Sequence, residues 1–104
     1  MIAYHTTLKQ RLPSILRDGL QGRFARGKLR AVWVATSRRD GWCLKHMVVN
    51  HGADLEDVVR LKVDVPRSWC RRWGKGVWYC LRDVPVSRIL SVATFGVTSE
   101  RRVP

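Results

Sequence analysis

Acidic residues are scarce in this 104-residue chain: eight Asp and Glu stand against twenty Lys and Arg, and only Glu56 and Glu100 are glutamates. The resulting net charge of +12 and pI near 11.1 exclude a surface that gathers cations and favour one that attracts phosphates. The alternative is that the charge is a compositional habit or a solubility device. No stretch approaches the ~20 apolar residues that span a bilayer, so no membrane partner is expected. A charged lead followed by an apolar core and a small-residue cleavage site is also missing, which points to a soluble, cytoplasmic protein. Cysteines are few: Cys43, Cys70 and Cys80 are an odd number at irregular spacing, which argues for reduced thiols over a disulfide framework. Cys43-x-x-His46 with His51 nearby hints at zinc, but no second CxxC or HxxxH pair exists. The cysteines read better as small buried hydrophobes, and no metal is expected. Repeats, low-complexity tracts and Pro/Ser-rich linkers are lacking too. Residues 1–104 therefore read as one domain, near the small end of what buries an adequate core alone.

What is present is an alternation of short strand and helix signals. "IAYHTT" (2–7) reads as a strand and "LPSILRDGL" (12–20) as a helix. Pro13 suits its first turn, where a missing N–H costs nothing, and Gly19 suits the left-handed position after its end. "AVWVATS" (31–37) is β-branched and aromatic, so a strand. A helix over 38–51 follows, with Leu44, Met47 and Val48 on one side and Gly52 ending it. "DVVRLKVDVP" (57–66) alternates Val59, Leu61, Val63 and Val65 with Arg60, Lys62 and Asp64, which gives one buried face and one wet face. "GVWYCL" (76–81) and "RILSVATF" (88–95) are two more strands, joined by the turn "RDVPVS". This order predicts an α+β domain with a mostly antiparallel sheet.

Several residues carry chemistry, each with a plainer alternative. His5 sits at a strand edge, where it either meets a ligand or is a satisfied structural histidine. Thr7 either touches ligand or caps the first helix, and Ser37 reads as the cap of the second. Trp33, Trp78 and Tyr79 can stack on a flat ring, but Trp78 and Tyr79 must point to opposite faces of a strand. Arg71 and Arg72 can grip a pyrophosphate bidentately or stay solvated. The loop "QGRFARGKLR" (21–30) sets Phe24 among Arg23, Arg26, Lys28 and Arg30. That is a candidate nucleic-acid contact, with the aromatic stacking on a base, or a solvated loop with Phe24 on the core.

Taken in order, these segments resemble the ADP-ribosyltransferase superfamily, and in particular the catalytic lobe of the RNA 2′-phosphotransferases. "YHTT" with "LPSILRDGL" is similar to that family's first strand, with its HxT motif, and the helix ending in Gly-Leu. "VWVATS" is similar to its second motif and "VVRLKVDVP" to its central strand. "RRWGKGVWYCLRDVPVSRI" is similar to its late glycine-led strand followed by an acidic residue, Val-Pro and Ile. The likeness covers residues 2 to 90. It implies a compact, split, mostly antiparallel sheet with two or so helices, and NAD as the donor of ADP-ribose. By the resemblance, His5 contacts the adenosine-side ribose and Thr6 or Thr7 shapes the nicotinamide end. Trp33, Ser37, Arg71, Arg72, Trp78 and Tyr79 complete the candidate NAD-binding set.

The chain also departs from the pattern. The RNA 2′-phosphotransferases carry an N-terminal RNA-gripping lobe, whereas this sequence starts at the catalytic lobe, so tRNA-type 2′-phosphate removal is not expected. Trp33 stands where that family's second motif has a histidine. The late segment lacks the glutamate of many protein-modifying members, which leaves Asp83 as its only carboxylate and the candidate general base beside His5. Asp83 is otherwise a turn residue. Two functions remain open: transfer of ADP-ribose from NAD to a nucleic acid, nucleotide or protein, or non-catalytic binding of nucleic acid or nucleotide through the basic surface.

Overall fold

The computed structural model describes residues 1–24, 30–36, 52 and 54–94. The 38–51 helix, Ser37, Arg26, Lys28, Cys43, His46, His51 and Glu100 lie outside them. The described chain forms one α+β unit: a six-stranded antiparallel sheet with one helix and several 3₁₀ turns. The strands are β1 (Ile2–Leu8), β2 (Val32–Ala35), β3 (Val58–Asp64), β4 (Cys70–Gly74), β5 (Val77–Cys80) and β6 (Ile89–Thr94). They lie in the order β4-β5-β2-β1-β3-β6. The helix α1 spans Leu12–Asp18. Among the described residues no helix is long and apolar enough to cross a membrane.

The core follows from alternation. Val59, Leu61 and Val63 of β3 are fully buried, as their spacing predicts, and meet Ala3, Val32, Val34, Cys70 and Cys80 from neighbouring strands. Ile15 of α1, Leu20, Val65 and Val84 close this inner face. β1 runs in register with β3 along its length, from Ile2 opposite Asp64 to Leu8 opposite Val58. Its alignment with β2, among the described residues, is Tyr4 opposite Ala35. The sheet is thus two halves that part beyond Tyr4.

α1 starts and stops as its sequence implies. Pro13 occupies the first turn, and Gly19 takes φ +82° with its N–H donating to the Ile15 carbonyl. The start has no side-chain cap. Thr7 belongs to β1, where it is 7% exposed and faces inward, so it does not cap the helix. Leu20 and Val84 exchange two backbone hydrogen bonds of 2.8 Å, which pins the segment after α1 to the bend after β5.

β4 is the strand that sequence reasoning missed. Cys-Arg-Arg-Trp-Gly lacks apolar alternation because β4 is an edge strand with exposed Arg71, Arg72 and Trp73, and its two arginines are the charges that guard such an edge. Gly76, at φ +77°, turns the chain back into β5. Leu81 N–H donates to the Trp69 carbonyl at 3.0 Å, so the next pair, Cys70 and Cys80, falls at a non-hydrogen-bonded position where side chains lie closest. Their sulfurs meet at 2.7 Å in the core. Burial and the Cys70 thiol push the Cys80 thiol's pKa far up, so it stays protonated.

Gly19 offers a direct check of this packing. A Cβ there would run into the Val84 carbonyl, on a backbone that L-residues rarely adopt. Gly19→Ala should therefore cost roughly 2–4 kcal/mol, the sum of a left-handed residue and an overpacked site. Denaturant melts read this directly, and a loss below about 0.5 kcal/mol, the usual range of inert surface changes, would contradict the clash.

Candidate functional site

β1 delivers His5 and Thr6 to opposite faces of the sheet, as strand alternation demands. His5 lies opposite Leu61, between inward-facing Ala3 and Thr7. Its Nδ1 is 2.7 Å from the Trp33 carbonyl oxygen. A carbonyl can only accept, so Nδ1 carries the proton and Nε2 is left as the acceptor. The bond spans the parting between β1 and β2, where no ladder pair continues from Tyr4–Ala35. Burial is the largest influence on this ring and lowers its pKa; the nearby Arg11 charge lowers it further, against the Trp33 hydrogen bond.

Thr6 presents its hydroxyl to the outer face. Thr6 Oγ1 is buried and has no hydrogen-bond partner, a costly condition for a polar atom. Tyr4, on the same side of β1, lies beneath the Arg60 guanidinium at 5.0 Å.

Rings collect on the outer face of the β2-β5-β4 half. Trp33 stands opposite Tyr79 in register, and their centroids are 5.4 Å apart. Trp73 packs against Trp33 in a T-shaped contact at 6.0 Å. Arg71 lies opposite Tyr79, with its Nη1 donating to the Cys70 carbonyl at 3.1 Å. The structure thus brings Trp33, Tyr79 and Arg71 of the candidate NAD set together, with Thr6 on the matching side of β1. Trp73 joins them, and it was invisible in sequence because β4 was not read as a strand.

The remaining candidates face elsewhere. Trp78 packs on the inner core beneath Arg67 at 5.3 Å, and Arg72 pairs with it in register. His5 and Thr7 share that inner side. The sheet therefore divides the residues that the resemblance gathers into one pocket. Asp83 is exposed on the bend after β5, and its Oδ1 accepts from the Gly22 N–H at 3.0 Å. It anchors the start of the basic loop rather than bonding its own turn. Arg23 and Arg30 flank that loop, with Arg30 Nη1 donating to the Arg23 carbonyl at 2.7 Å.

No protein-family model and no curated protein matches this chain.

The lowered His5 pKa sets a pH dependence. Above the ordinary value of 6.5 both folded and unfolded chains hold the ring neutral, and it adds no pH dependence. As pH falls through 6.5, the unfolded chain takes up a proton that the folded chain resists, so stability falls until the lowered native value is reached. Each pH unit inside that window costs up to about 1.4 kcal/mol. Melting temperature should drop from pH 7.5 to 5.5, and His5→Gln should flatten the drop. An identical slope in the variant would place the titration on another group.

Proposed function

We propose that this chain is an NAD-dependent, ADP-ribosyltransferase-like domain that acts on a nucleic-acid acceptor. The reading rests on the ordered motifs described above and on one structural observation. At the HxT strand, a neutral His5 with its Nδ1 tied to Trp33 is followed by Thr6, whose buried hydroxyl has no partner. An unsatisfied hydroxyl on the face that carries Trp33 and Tyr79 is a group that ribose hydroxyls and a carboxamide pair with. When bound, NAD supplies an activated glycosidic bond to nicotinamide. The chain's own work is to hold: on the outer face Thr6 Oγ1 gains the partner it lacks, on the side that carries Trp33 and Tyr79, while His5 positions Trp33 from the inner face through its carbonyl, and the basic surface draws in the polyanion.

Thr6→Val separates ligand binding from folding. Removing an unsatisfied buried hydroxyl should leave the free protein as stable or raise its stability by about 1 kcal/mol. It should weaken NAD by a similar amount in low-salt calorimetry. His5→Ala leaves the Trp33 carbonyl unpaired and releases the ring it positions, and should weaken NAD by about 1–3 kcal/mol. Absence of heat from wild type at millimolar NAD would overturn the nucleotide reading.

A second reading, nucleic-acid binding without transfer, is favoured by Asp83. The one carboxylate of the late segment serves as an acceptor for Gly22 N–H on an exposed bend. If transfer occurs and Asp83 is its base, Asp83→Asn should cut turnover of labelled NAD into nucleic acid by roughly 10²–10⁴. The Asn oxygen can still accept from Gly22. Transfer by wild type that survives this change assigns Asp83 to the bend alone. A wild type that binds nucleic acid and transfers nothing establishes the second reading.

A further inference from the structure

The edge hairpin carries an indole where a guarded edge strand ordinarily carries only charge. Trp73 is 61% exposed, the most exposed large hydrophobic residue described. It is nevertheless held: Trp33 packs it at an interplanar angle of 78°, and Tyr79 braces Trp33 from the next strand. The neighbouring side chains on the hairpin are Arg71, Arg72 and Lys75, all exposed. No carboxylate lies in Cys70–Cys80.

We propose that the outer face of the β4-β5 hairpin is a stacking platform for single-stranded nucleic acid. Trp73 takes a base, and Arg71 and Lys75 take the flanking phosphates. The proposal rests on the reading that nucleic acid is this protein's polyanion, and it names the surface and the strandedness. Three features select a single strand. A duplex hides its base faces, so it offers phosphates but nothing for an indole to stack on. The ring's orientation is fixed before binding, which spares the entropy of ordering it. A net charge of +12 supplies the long-range attraction and leaves the ring to discriminate. Stacking on an aromatic ring is also tolerant of sequence, because every base has a π-face.

The test is fluorescence anisotropy with a labelled 12-nucleotide single strand, the same sequence as a duplex, and polyglutamate as a competitor. Trp73→Ala should weaken single-strand binding about tenfold to a hundredfold and leave duplex binding and its salt slope unchanged. Trp73→Phe keeps a ring and should retain most of the affinity. Because Trp73 is exposed, thermal melts of both variants should overlay the wild type, which keeps the comparison interpretable. Arg71→Gln should reduce the salt slope by about one. Equal weakening of single strand and duplex, or none, would overturn the platform while nucleic-acid binding itself stands. Equal competition by polyglutamate would reassign the face to general anion attraction. Failure of wild type to bind either nucleic acid at 50 mM salt would overturn the underlying reading as well.

Discussion

The hydrogen bond from His5 to the Trp33 carbonyl is the point on which the two halves of the sheet turn. β1 is bound to β3 along its whole length, and β2 is bound to β5 from Val32–Cys80 to Ala35–Val77. Between these blocks, among the described residues, the ladder holds the one pair Tyr4–Ala35. A backbone carbonyl left open in a buried sheet would be costly, and the imidazole closes it. The same bond decides the ring's tautomer and ties it to the backbone of Trp33, whose side chain strand alternation sends to the outer face. Fold and candidate chemistry share one contact.

Scarcity of acid shapes the rest of the surface. Among the described residues, three acids hold the fold rather than a ligand: Asp64 meets the terminal amino group at 3.3 Å, Asp18 meets Arg17 at 3.1 Å, and Asp83 accepts from Gly22. Arginines turn instead to rings. Arg60 lies over Tyr4 and Arg67 over Trp78, and Arg82 and Arg88 both approach Trp69 within 5.6 Å. A ring face attracts a cation without cancelling its charge. The arginines are thereby positioned while their attraction for phosphate persists.

Strands whose pattern is strict were legible in the sequence. β3 announces itself through Val59, Leu61 and Val63, and α1 through Pro13 and Gly19, because periodicity and backbone sterics act locally. β4 was not legible: an edge strand with one buried position has no alternation to read, and its pairing with β5 depends on a turn at Gly76. Thr7 was misjudged as a possible cap because a 3₁₀ turn at Lys9–Arg11 separates it from α1, and a cap must adjoin its helix. The candidate site was legible as residue types but not as a grouping. Trp33 and Tyr79 come together only through cross-strand register, which two separated segments do not encode individually. Asp83's tie to Gly22 likewise joins residues 61 positions apart.

β6, at the other end of the sheet, exposes Leu90 and Val92 on a strand with no further neighbour among the described ones. Such an edge is a template for a second copy. Mutual repulsion between molecules of net charge +12 opposes that approach, and the repulsion fades within about 10 Å at 0.1 M salt. Colloidal behaviour is thus governed by small ions. Salt therefore lowers the barrier between two molecules that meet at β6.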